Sequence, residues 1–155
     1  NGLADANHLE DALTVRETKL SMELRLGGSE SSILSAQGNL ANSYEDLGRL
    51  DDGMRLRQDV YSGTLKLLGE EHRGTMTEAN NYAISLKVLS RFEEAKSLMR
   101  KMIPVARRVL GEGDMLTLKM RWVYAQTLYK DPSATLDDLR EAVTTLEDAE
   151  RTARR

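Results

Sequence analysis

Three Leu-Gly pairs divide this chain at equal intervals. Leu26-Gly27, Leu68-Gly69 and Leu110-Gly111 lie 42 residues apart, from 26 to 68 and again from 68 to 110. Other residue types keep the same register: Asn39 with Asn81, Ala41 with Ala83 and Ala125, Leu47 and Arg49 with Leu89 and Arg91, Thr75 with Thr117. One residue type at equal spacing is weak evidence, but several types in one register mark a structural repeat. A repeat of this length signals stacked supersecondary units, each burying the apolar face of the next.

Within each unit the local signals are helical. Gly27, Gly69 and Gly111 follow apolar-periodic stretches, where a helix end favours a residue tolerant of the left-handed conformation. A first helix, A, is expected over Ile33–Leu47 and again over Thr75–Leu89. Its apolar face carries Leu40, Ala41, Tyr44 and Leu47 in one unit and Tyr82, Ala83, Leu86 and Leu89 in the next. Gly48-Arg49 and Ser90-Arg91 break the pattern. A second helix, B, then runs from about Asp51 to Leu68 and from about Glu93 to Leu110. Residues from about Ala4 to Leu26 read as a helix B whose partner precedes it. A third helix A runs from about Asp114 to Lys130. Its partner is displaced, since Leu139-Arg-Glu-Ala142 echoes Phe92-Glu-Glu-Ala95 five residues late, and the turn-rich stretch 131–135 absorbs the excess.

These signals predict an all-α chain: a right-handed superhelical solenoid of antiparallel helix pairs. A single array over 1–155 is expected, with 1–26 as the helix B of a preceding unit and 27–68, 69–110 and 111–155 as units 1 to 3. The missing initial Met, and a stop where another Leu-Gly falls due, read as an excerpt of a longer array. Small residues such as Ala41, Ala83 and Ala125 are expected where helices approach closely, and Phe92, Leu98 and Met102 where space between them is filled. Pro104, inside a helix B, is expected to remove a hydrogen bond and kink it.

Composition narrows the function. Leu and Ala dominate the apolar residues and aromatics make up 5%, a bias toward helix over sheet. A net charge of −3 offers no electrostatic footprint for nucleic acid or an anionic membrane. Cysteine is absent, which excludes disulfides, thiolate metal sites and Cys nucleophiles and fits a reducing, cytoplasmic setting. No apolar run approaches the roughly 18 residues that span a bilayer, so membrane insertion is not expected. Residues 1–10 lack the basic-then-apolar pattern of a signal peptide.

The stretch Leu68-Gly69-Glu-Glu-His72-Arg73-Gly74-Thr75, then Asn80-Asn81-Tyr82-Ala83, then Arg91-Phe92-Glu93-Glu94-Ala95 resembles the tetratricopeptide repeats of kinesin light chains. The pattern there is roughly LGxxHPxT, NNLA, GRxxEA. The resemblance covers nearly the whole chain and is strongest in the central unit. Arg73 stands in place of the usual Pro, Ser90 in place of the turn Gly, and Trp122-Val123-Tyr124-Ala125 in place of NNLA. In that family helix A lines a concave face that accepts extended peptides. The resemblance therefore implies peptide-binding positions at Asn39, Asn42 and Glu45 in the first unit, Asn80, Asn81, Ile84 and Lys87 in the second, and Trp122, Gln126 and Tyr129 in the third. Asn amides both donate to and accept from a peptide backbone. Trp122 and Tyr129, two turns apart on one helix face, offer the aromatic area that concentrates binding energy.

Plainer readings stand beside these. Asn39 and Asn81 equally suit bonds to neighbouring backbone between units. Trp122, the sole Trp, suits a core position somewhat better than a groove, because large aromatics are more often structural than ligand-binding. Lys119, Arg121 and Lys130 read either as a basic patch for an acidic peptide or as a solvated helix face. Signals for catalysis fail: Gly69–Thr75 lacks the Lys and the preceding strand of a phosphate loop, and His72, a candidate base or ligand, better fits a local capping or packing role within the repeat loop. Two distant histidines without Cys do not make a zinc site. No cofactor is expected. The chain is therefore expected to be non-catalytic, binding a partner protein through a linear peptide segment, as an adaptor. A purely structural scaffold, self-associating laterally or through exposed array ends, is the first alternative. A regulatory region attached to an enzyme or motor domain is the second.

Overall fold

Helices fill the intervals that the repeat marks out. The computed structural model describes residues 2–154, with side chains from 8 onward. The described residues form seven helices and no strand: α1 Gly2–Arg25, α2 Glu30–Asp46, α3 Leu50–Leu68, α4 Arg73–Val88, α5 Phe92–Val109, α6 Met115–Lys130 and α7 Leu136–Ala153. The starts of α2, α4, α6 and α7 are set by side chains that accept otherwise unpaired first-turn N–H groups. Ser29 accepts from the Ser32 amide, His72 from Gly74 and Asp114 from Leu116. His72 thus caps a helix, and because it sits there α4 begins at Arg73 rather than at the expected Thr75.

The helix ends obey the glycine rule. Gly27, Gly69 and Gly111 adopt φ of 67°, 83° and 95°. Gly48, in the turn between α2 and α3, has φ 75°, and Ser90 takes φ 59° at the matching turn between α4 and α5. Ser90 therefore occupies a conformation that costs a side-chain-bearing residue about 1–2 kcal/mol.

The chain divides into two compact units, 1–67 and 68–155. In the first, α2 packs against α1 and α3 around Leu13, Ala36, Leu40, Ala41, Met54 and Val60. Gly53 lets α3 come so near that a Cβ there would stand 3.3 Å from the Ala41 carbonyl and 2.7 Å from Glu45 Cγ. Arg16 of α1 donates to the Asn39 carbonyl at 3.0 Å and to Ser43 Oγ at 2.6 Å.

In the second unit α4 packs on α5 and α6, α5 on α6, and α6 on α7. Ala79, Ala83, Ala95, Ala106 and Ala125 are wholly buried at these crossings, and Met76, Met99, Met102 and Met120 fill the space between them. Phe92 and Leu98 are only half-buried. The helix continues through Pro104, whose ring faces solvent.

The stretch 131–135 is held firmly. Asp131 is buried and accepts from Lys96 Nζ at 2.9 Å, while its other oxygen accepts from the Ser133 amide and hydroxyl. These bonds, those from Ser133 first and the Lys96 ammonium next, draw the Asp131 carboxyl down to about 2. Thr135 and Asp138 then form a reciprocal capping box. It starts α7 at Leu136, three residues before Leu139, the residue that echoes the first residue of α5.

Candidate protein-binding face

In the second unit the A helices α4 and α6 lie side by side, and each leaves one stripe outside the core. On α4 the stripe carries Ile84 and Val88, both exposed, and the half-buried Lys87. On α6 it carries Trp122, 52% exposed, and Tyr129, 43% exposed, with Gln126 half-buried between them. The spacing of three to four residues along each helix puts these side chains on one face. A hydrogen bond from Lys87 Nζ to Gln126 Oε1 joins the two stripes. Trp122 therefore lies outside the core, and of its two sequence readings the exposed one holds.

Asn80 sits at the edge of this stripe. It is 7% exposed, and its amide oxygen has no hydrogen-bond partner among the described residues. An acceptor left unpaired in this way costs about 1–3 kcal/mol. Asn81 is half-buried and donates from Nδ2 to Glu78 Oε2 at 3.3 Å, within its own helix. Burial holds the Lys87 ammonium below the usual lysine range, and the positive charge of Lys130 adds to the effect.

The first unit treats its expected positions differently. Asn39 is exposed, and its carbonyl accepts from Arg16. Asn42 Oδ1 accepts from Arg57 Nη2, and the carboxylate of Glu45 takes Nη2 of the same guanidinium at 2.9 Å. Asn42 and Glu45 are thus engaged by a buried arginine from the next helix. The structure brings Asn80, Ile84, Lys87, Trp122, Gln126 and Tyr129 onto adjacent helices of one unit, and places Asn39, Asn42 and Glu45 in the other.

A family model for the tetratricopeptide repeat matches residues 33–74 and 75–114, more than half of the chain. The chain belongs to the tetratricopeptide repeat family. No curated protein matches its sequence. Among solved structures, BtubC from P. vanneervenii is similar with a TM-score of 0.80 and 18% identity, over 95% of this chain and 56% of that one. The nearly identical TPR-like repeats of a putative kinesin light chain from Podosopora anserina are similar with a TM-score of 0.79 and 20% identity, over 94% of this chain and 67% of that one. This chain thus spans little more than half the length of the first and two thirds of the second, and at these identities the likeness shows the fold. Tetratricopeptide repeats are in general protein-interaction and scaffold modules without catalytic activity. Among the described residues no helix is long and apolar enough to cross a membrane, and no His, Asp or Glu cluster could hold a metal ion.

The basic strip read from Lys119, Arg121 and Lys130 does not form. Lys119 and Lys130 are exposed, but Arg121 is buried and turned toward α7, donating to the Thr145 carbonyl at 3.3 Å. Arg121 lies two residues from Lys119, roughly 200° around the helix, so a shared stretch of sequence does not mean a shared face. The tetratricopeptide pattern also gave no sign of the Arg57 and Lys96 pairings. The available signal was register: Arg57 aligns with Met99, and a charged residue at a core position of the repeat requires a buried partner.

Proposed function

We propose that the exposed face of α4 and α6 captures an extended peptide segment of a partner protein, as an adaptor does. The stripe of Ile84, Trp122 and Tyr129, presented to solvent on adjacent helices, carries this reading. Apolar side chains of the segment would cover Trp122 and Tyr129. Asn80 lies at the edge of the stripe with its amide oxygen buried and unpartnered, and a peptide N–H satisfies that oxygen only once the side chain turns outward. Lys87, Lys119 and Lys130 favour a segment with acidic residues, because an incoming carboxylate offsets both the burial of Lys87 and the repulsion between Lys87 and Lys130. Asn81 and Gln126 belong to the same face. Asn39, Asn42 and Glu45 of α2 make a separate candidate face on the first unit, where a ligand has to outcompete Arg57 for Asn42 and Glu45.

Partner capture by Trp122→Ala and Lys87→Glu, each checked for folding by circular dichroism, tests the assignment. Each variant is expected to lose most of the binding. Undiminished capture by folded variants would remove the face from consideration.

Exposed apolar residues favour a second reading, a scaffold that packs against copies of itself or its neighbours. Val15 and Met22 are exposed on α1 and Leu26 just beyond its end, and Leu136, Leu139 and Val143 on α7. Sedimentation analysis separates the two: a monomer that still captures peptide supports the adaptor, and obligate assembly without peptide affinity supports the scaffold.

A further inference from the structure

An open cavity of about 230 Å³ lies among the end of α5, the loop before α6, α6 itself and α7, lined by Arg107, Glu112, Arg121, Asp148, Arg151 and Thr152. Three guanidinium groups face two carboxylates, leaving one positive charge in excess. Glu112 is shared. One of its oxygens accepts from Arg107 Nε, and the other lies 3.5 Å from Arg121 Nη1. Asp148 is taken by Arg151. Thr152 donates its hydroxyl to the Asp148 carbonyl at 2.8 Å.

Arg121 is the odd member. It is 5% exposed, yet its Nη1 is buried with no hydrogen-bond partner among the described residues. A buried cation held by one carbonyl and one stretched ion pair is poorly compensated. Nor does the repeat require an arginine there. One repeat earlier the same position is Ala79, a wholly buried core residue. Position 121 therefore carries a charge where the fold needs only a small apolar side chain, and that charge faces a cavity ringed by two more guanidiniums. Guanidinium forks match the paired oxygens of tetrahedral oxyanions, and once Glu112 is displaced three of them face the single carboxylate of Asp148, an excess of two charges that suits a dianion better than a carboxylate.

We propose that this cavity binds a phosphate group, with Arg121 as the buried anchor, Arg107 and Arg151 as outer ligands, and Glu112 as the internal carboxylate that the incoming anion displaces. The site is separate from the face of α4 and α6 and does not depend on it. Free phosphate and a phosphate on a serine side chain share the chemistry of recognition.

Calorimetric titration of the whole chain with inorganic phosphate, with capped phosphoserine and with acetate, at ionic strength fixed by sodium chloride, tests the proposal. Saturable binding of phosphate is expected. Arg151→Gln is expected to weaken it about tenfold, the worth of one charge-assisted hydrogen bond. Glu112→Gln is expected to tighten it, because the competitor is gone; both changes are at exposed positions and leave the core intact. Arg121→Met, which restores an apolar residue at a core position, is expected to abolish binding while the chain stays folded. Phosphoserine binding as tightly as phosphate identifies a phosphorylated partner, and phosphate alone identifies a free anion. No saturable phosphate binding, acetate binding as tightly as phosphate, or affinity unchanged in both Arg151→Gln and Glu112→Gln would overturn the proposal.

Discussion

Glu45 of α2 and Lys87 of α4 are register mates one repeat apart, and the molecule uses them in opposite ways. In the first unit Arg57 reaches back from α3 and holds both Glu45 and Asn42. In the second unit the residue in register with Arg57 is Met99, wholly buried in the core. Without an arginine in that place, the stripe of α4 keeps Ile84 exposed, and Lys87 turns to Gln126 of the neighbouring A helix. One residue on helix B thus decides whether the polar residues of helix A are held by a charge from behind or pair along the face with the neighbouring A helix. The outward face of a repeat is specified partly from behind.

The largest effect should come from forcing the second unit to copy the first. Met99→Arg places a charge in a sealed core whose register mate of Glu45 is a lysine, so no carboxylate is available to pair with it. A loss of more than about 4 kcal/mol, or failure to fold, is expected in urea denaturation. A mild effect would mean that the core admits water or that Lys87 moves aside.

Next comes a pairing in the second unit that has no counterpart in the first. Lys96→Met leaves the buried Asp131 without its cation and is expected to lower the melting temperature by several degrees. The pH dependence follows from the low pKa of Asp131, about 2 in the folded chain against an ordinary 3.8. Stability from this group is fully present above pH 4 and is lost as pH falls through about 2, when the carboxylate takes up a proton. Asp131→Asn should flatten that acid limb while leaving neutral-pH behaviour of other groups unchanged. An identical acid limb in both proteins would remove Asp131 as its source.

Arg57→Met runs the comparison the other way. Glu45 and Asn42 reach solvent and can rehydrate, so urea denaturation should register no more than about 1 kcal/mol of loss. A larger loss would show that the first unit depends on this arginine for its packing. Ser90→Gly tests the matching turns. Gly48 already suits its positive φ and Ser90 does not, so a gain of about 0.5–1 kcal/mol is expected in the same assay. The smallest change in stability should come from Trp122→Ala, within about 0.5 kcal/mol for an exposed side chain. It is the variant in which loss of partner capture would then speak for binding alone.

Much of this architecture was legible in the residues. The Leu-Gly register located the helix ends, because a left-handed glycine is a local requirement that shows in sequence. That His72 serves the repeat loop locally was legible from its place there, while the structure decided for capping over packing. The displaced stretch 131–135 was visible as an interruption, yet nothing in Asp-Pro-Ser-Ala-Thr revealed that Asp131 would be buried against Lys96, 35 residues earlier. Lys119 and Arg121 looked like partners because they are neighbours in sequence, whereas helical geometry sends them to opposite sides. Trp122, as a large aromatic, leaned toward the core in sequence, and the packing of α6 against α4, α5 and α7 left its side of the helix uncovered instead.

The sequence by itself determined what depends on a few residues at short range or on period: helix over strand, the 42-residue unit, the turns and the caps. Only the tertiary structure decided which polar side chains are consumed and which remain available. Arg57 with Glu45, Lys96 with Asp131 and Arg121 with its cavity each join groups from different helices. Whether a charge is paired depends on distance and burial, and packing, rather than residue order, sets both.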